Sequence, residues 1–133
     1  MSKLAIRISS DIHNIMVVEK FIEAFSERFK VPEKLNARIS LSVIEAVNNA
    51  ILAGNKMQAD KNVDLEAELC GDVLKVTVRD EGDGFDYTNI PDPTLPDNLG
   101  KSTGRGLYLM KSLSDELIFS NKGASVTLIY KLG

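Results

Sequence analysis

A chain of 133 residues, 44% hydrophobic and 26% charged, suits one globular domain (residues 1–133) with enough length for a real core. A net charge of −3 without any basic block argues against direct nucleic-acid binding. With no signal-peptide core and no uninterrupted apolar span, a cytoplasmic protein without a membrane segment is expected. The single cysteine, Cys70, excludes an internal disulfide and any multi-cysteine metal site.

Lys3 to Ser9 alternates, with Leu4, Ile6 and Ile8 on one face, and predicts a strand. Ser10 and Asp11 are N-cap candidates for a helix running to Phe29, in which Ile15, Val18, Ile22, Phe25 and Phe29 recur at helical steps. His13 stands alone in the first turn and reads as a surface residue. Pro32 suits the first turn of a second helix, and Gly54 suits the position just past its end. On that helix Leu35, Ile39, Val43, Ala46, Val47, Ala50 and Ile51 form a broad apolar face. Arg38, Glu45 and Asn49 line one flank of it. A flank can overlook a cleft beside the packed face, although a solvated polar edge has the same pattern. Asn48-Asn49 is an unusual pair in mid-helix, because asparagine amides compete for backbone hydrogen bonds.

Val63, Leu65, Ala67 and Leu69 alternate with acids, and Gly71-Asp72 turns the chain into Val73 to Arg79, which predicts a hairpin by the usual turn chemistry. The second strand stops at Asp80 and breaks into Glu81-Gly82-Asp83-Gly84. A carboxylate held at the end of a rigid strand, beside bare backbone, suits a selective pocket wall. An ordinary acidic turn reads the same way. Phe85 to Lys101, with Pro91, Pro93 and Pro96, forms no regular element and has the length of a functional lid. Ser102 to Gly106 reads as a second glycine turn before a short helix, Leu107 to Leu113; exposed amides there would suit a phosphate. Glu116 to Ser120 and Ser125 to Lys131 make a second hairpin around Asn121-Lys122-Gly123. The order predicts an α+β two-layer sandwich, with three helices on one face of a mixed, largely antiparallel sheet.

Glu45-Ala46-Val47-Asn48-Asn49-Ala50, Asp80-x-Gly82-x-Gly84 and Gly104-Arg105-Gly106-Leu107 resemble the N, G1 and G2 boxes of the ATPase superfamily of gyrase B, histidine kinases and MutL, with its Bergerat-type ATP-binding fold. Three motifs in order are far more specific than any one, and together they span most of the chain. The short length, the leading strand and the phrasing Thr103-Gly104-Arg105-Gly106-Leu107 most resemble bacterial anti-sigma-factor serine kinases. The resemblance implies an ATP- and Mg²⁺-dependent serine/threonine-protein kinase. Its expected partners are a sigma factor and an anti-anti-sigma (STAS-type) protein, with a homodimer possible. It also implies roles: Glu45 as general base, Asn49 as the Mg²⁺ ligand, and Asp80 as the adenine-binding carboxylate with Gly82 and Gly84 beside the purine. Thr103, Gly104, Arg105, Gly106 and Leu107 would meet the phosphates, and Thr127 would assist adenine through water. Ala53 departs from the pattern, standing where many of these kinases carry a histidine. Two alternatives share the resemblance: a partner-switching protein that binds ATP without kinase activity, and the ATP-binding domain of a histidine kinase standing alone.

Overall fold

The computed structural model describes residues 2–83 and 102–133. Eight main elements follow in the expected order: β1 (Ser2–Ser9), α1 (Ile15–Arg28), α2 (Asn36–Asn49), β2 (Asn62–Cys70), β3 (Val73–Arg79), α3 (Ser102–Leu113), β4 (Glu116–Ser120) and β5 (Ser125–Lys131). The strands form one five-stranded sheet in the order β1-β2-β3-β5-β4. Every pairing is antiparallel, so the sheet is not mixed among the described residues. The connections explain this. β2–β3 and β4–β5 are hairpins, while β1 and β2 are joined through two helices. The three connections β1–α1, α1–α2 and α2–β2 each turn the chain back, an odd number that leaves β2 antiparallel to β1.

Period-two alternation decides which sheet face carries the helices. Val63, Leu65 and Ala67 of β2, Leu74, Val76 and Val78 of β3, and Val126, Leu128 and Tyr130 of β5 are all buried in the core. The other face is largely polar on β1, β2 and β3, with Ile118 and Ile129 as aliphatic residues on β4 and β5. Arg7 donates to Asp64 at 2.7 Å, and Lys3 lies 3.2 and 3.4 Å from Glu66 and Glu68. Exposed pairs of this kind fix register more than they stabilise, at roughly 0–1 kcal/mol each.

α1 buries Val18, Phe21, Ile22 and Phe25. Phe25 meets Phe21 edge-on and stacks on Phe29, tying the end of the helix to the core. Asp11 caps a 3-10 turn, Ile12–Asn14, that leads into α1: its carboxylate accepts from the His13 N–H at 2.9 Å. On α2 the predicted apolar face is buried from Ile39 to Ile51, with Leu35 partly so. Ser42, on the same face, is buried and pairs its hydroxyl with that of Tyr130 from β5. Burial drives the Tyr130 hydroxyl well above its ordinary range, so it stays protonated as a donor.

Two details differ from the sequence pattern. α2 does not end at a glycine turn but widens into a π-helical turn, Ala50–Gly54, closed by the Asn55 N–H on the Ala50 carbonyl. α3 starts at Ser102, so the segment expected to be a glycine turn is helical. Glycine lowers helix propensity without forbidding a helix, and packing against α2 outweighs the loss.

Candidate functional site

The flank of α2 faces α3, and the two helices frame a cleft of about 240 Å³ lined by Ile12, Glu45, Asn48, Asn49, Leu52, Ala53 and Gly106. Glu45, Asn48, Asn49 and Leu52 share it because steps of three and four residues stack on one side of a helix. Gly106 brings α3 close: a Cβ there would sit 3.1 Å from Oε2 of Glu45. Neither Glu45 nor Asn49 has a hydrogen-bond partner among the described residues, so both side chains are free for a ligand. Asn48 adds a buried amide oxygen with no partner among the described residues, an acceptor in want of a donor. Arg38, expected on the same flank, is committed elsewhere. Its Nε donates to the Leu113 carbonyl at the end of α3, and its guanidinium reaches toward Asp115.

A second wall is built at the end of β3. The Asp80 N–H donates to the Ala124 carbonyl at 2.8 Å, continuing the ladder to β5. The Asp80 carboxylate accepts from the Gly82 N–H at 2.7 Å through Oδ1, leaving Oδ2 without a bond among the described residues. Backbone closes around it. A Cβ on Gly54 would overlap the Asp80 carboxylate, and one on Gly82 would overlap the Gly54 carbonyl. Partial burial pushes the Asp80 carboxyl above its ordinary value, opposed by the Gly82 N–H and the charge of Lys61. A half-desolvated carboxylate with a free oxygen is suited to accept from a neutral N–H donor such as an exocyclic amine.

Asn55 holds this turn in place. Fully buried, it accepts from the Glu81 N–H at 2.7 Å and donates to the Ser10 hydroxyl at 2.7 Å and the Asn62 carbonyl at 2.9 Å. Glu81 in turn accepts from the Asn62 N–H. The turn after β3, the end of α2 and the exit of β1 are therefore pinned to one amide.

The structure brings Glu45, Asn49 and Gly106 together, and sets Asp80 and Gly82 against Gly54 at the end of the same helix. Thr103, Gly104 and Arg105 lie on the first turn of α3, where the first four N–H groups of a helix have no internal acceptor. Gly106 falls beyond those four, and its contribution here is the missing side chain beside Glu45. Leu107 is a core residue, 3% exposed. Thr127 stands on the opposite sheet face from Asp80, bonded to Thr77 at 3.0 Å, and is not brought to the cleft. Gly84 and the lid segment lie outside the described residues. Local sequence pattern marks Gly54 only as a helix stop and gives Asn55 no role. Both roles depend on contacts 26 residues away in the chain, which no local pattern announces.

Fold and walls together define a two-layer sandwich with a half-buried carboxylate at the end of β3 and a polar helix flank beside it. A family model for the histidine kinase-like ATPase domain matches residues 8–130, and the chain belongs to that family. Similar proteins include an anti-sigma F factor of Clostridium perfringens (strain 13), 33% identical over 98 residues that cover 70% of this chain and 69% of that one. A serine-protein kinase RsbW of Staphylococcus epidermidis is 29% identical over 97 residues, covering 67% of this chain and 61% of its relative. Among solved structures, the RsbU and RsbW domains of Rv1364c from Mycobacterium tuberculosis superpose with a TM-score of 0.72 at 18% identity. The match covers 99% of this chain and 32% of that one, a likeness of fold. Among the described residues no helix is long and apolar enough to cross a membrane.

Proposed function

We propose that the protein is an anti-sigma serine kinase: it binds ATP with Mg²⁺, holds a sigma factor, and phosphorylates a serine on an anti-anti-sigma partner. The observation that carries this reading is the free Glu45 carboxylate in one cleft with Asn49, on the helix whose end closes against Asp80. Asp80 would accept from the adenine amine. Asn49 would contribute a neutral oxygen to Mg²⁺, which takes most of its remaining ligands from phosphates and water. The donors in the cleft are hard oxygens, the Asn49 amide beside the Glu45 carboxylate and the unpartnered amide oxygen of Asn48, the type that Mg²⁺ takes. Glu45 would take the proton of the acceptor hydroxyl as the γ-phosphoryl transfers in line.

The reading is tested by incubating the protein with γ-labelled ATP, Mg²⁺ and an anti-anti-sigma protein. Label is expected on a serine of the partner, and ADP release without partner labelling would overturn the kinase assignment. The relatives' names, one an anti-sigma factor and one a serine-protein kinase, support regulation through a sigma factor over a histidine kinase fragment.

A further inference from the structure

Part of the cleft beside Glu45 is aliphatic. Ile12 is 38% exposed and Leu52 is 48% exposed, and both line the same cleft as Glu45 and Asn49. A triphosphate with its metal ion is highly charged and gains nothing from aliphatic neighbours. The Asp80 carboxylate, the expected seat of the base, meets the helix at Gly54 and is not part of this wall. Two half-exposed aliphatic side chains at a reaction centre leave apolar area in water that an apolar partner would remove.

Position and size identify that partner. An acceptor hydroxyl must come within hydrogen-bond reach of Glu45, so the residues bracketing it must pass over the facing wall. A cleft of about 240 Å³ is on the order of 6 Å across, the cube root of its volume, or about two residues of extended chain at ~3.3 Å each. That volume is below the roughly 300–1,000 Å³ typical of pockets for drug-sized molecules, so it suits one end of a bound group and a side chain entering from outside. Ala53, small and beside Leu52, keeps the wall low.

We propose that Ile12 and Leu52 form a specificity subsite for the protein substrate, seating an aliphatic side chain within two residues of the phospho-acceptor serine. The subsite rests on the kinase reading above. Its placement is tied to the nucleotide side of the site. Ile12 follows Ser10 by two residues, and Ser10 is bonded to Asn55, the same amide that holds the Asp80 turn.

The test uses γ-labelled ATP with a positional-scanning library of serine-centred peptides, and a purified anti-anti-sigma protein as a folded acceptor. The wild-type chain is compared with the Ile12→Ser/Leu52→Ser double variant. Leucine, isoleucine, valine or methionine within two positions of the serine should raise kcat/KM at least tenfold over serine or aspartate at the same position. On the folded acceptor, changing such a flanking aliphatic residue to serine should have the same effect. The double variant should erase the preference through KM, with kcat kept and the affinity for Mg-ADP within about twofold of wild type. Transfer without an aliphatic preference, or a preference that survives in the double variant, overturns the subsite and leaves the kinase reading standing. A parallel loss of Mg-ADP affinity assigns the wall to the nucleotide and also overturns it. No label on any peptide or on the folded acceptor overturns the kinase reading, and the subsite with it.

Discussion

The two walls at the end of α2 are built in opposite ways. Around Asp80 the site is made of backbone and buried hydrogen bonds: Gly54 against the carboxylate, Gly82 against the Gly54 carbonyl, and Asn55 bonded to three segments. Around Glu45 it is made of side chains projecting from one helix into open space, with Glu45 and Asn49 uncommitted among the described residues. The first wall discriminates by shape and is intolerant of added atoms. The second offers uncommitted functional groups, the proposed reaction centre, and can lose one without losing its shape. Recognition and transfer should therefore fail separately.

The largest effect separates them directly. Glu45→Ala should lower phosphoryl transfer by about 10²- to 10⁴-fold, the range for a lost general base, while nucleotide still raises the melting temperature. For ligand at a hundred times its Kd that stabilisation is about 2.7 kcal/mol, on the order of 10 °C for a chain of this size. Calorimetry with and without nucleotide, paired with label transfer, checks it; full transfer by this variant would remove Glu45 as the base.

Next in size come changes to the backbone wall. Asn55→Ala leaves the Glu81 N–H and the Asn62 carbonyl short of their buried partner, and should cost about 3 kcal/mol of folding stability in urea titration. Gly82→Ala should cost about 1–3 kcal/mol by overpacking against Gly54. It should also remove nucleotide-dependent stabilisation, because the turn must move away from the helix end. If Gly82→Ala binds nucleotide normally, the wall is softer than its contacts imply and the contrast between the two regions collapses.

The smallest effect concerns pH. The folded state raises the Asp80 pKa, so its charged form is disfavoured by folding. The stability linked to this group is fully present below the ordinary carboxylate value and is lost as pH rises through the raised folded value. Asp80→Asn keeps an acceptor for the Gly82 N–H and removes the charge. The unliganded variant should be slightly more stable than wild type at pH 7, with the difference shrinking as pH falls into the carboxylate range. It should show no nucleotide-dependent stabilisation at either pH. Thermal melts across that range, with and without ATP, check both halves. An unliganded variant less stable than wild type at pH 7 would mean the carboxylate stabilises the turn instead of straining it.

Much of this was legible along the chain. The apolar stripe of α2 and the alternation of β1, β2 and β3 follow from fixed periods of 3.6 and 2 residues, which packing only confirms. The same periodicity placed Glu45 and Asn49 on one flank. Strand alternation likewise set Thr127 on the face opposite Val126 and Leu128, where it pairs with Thr77. Local turn chemistry misled at Ser102–Gly106, which belongs to α3, with Gly106 lying against Glu45 of α2.

The sequence by itself determined the order of elements, the two-layer class, the three boxes and the family they resemble, since each rests on residues close together in the chain. Only the tertiary structure decided that Gly54 touches the Asp80 carboxylate, that Asn55 ties the Glu81 turn to Ser10, and that Ile12 shares a cleft with Glu45. Those contacts join residues tens of positions apart. They exist because burying one apolar face of each layer leaves few ways to stack helices on the sheet, and the stacking selects which distant residues meet.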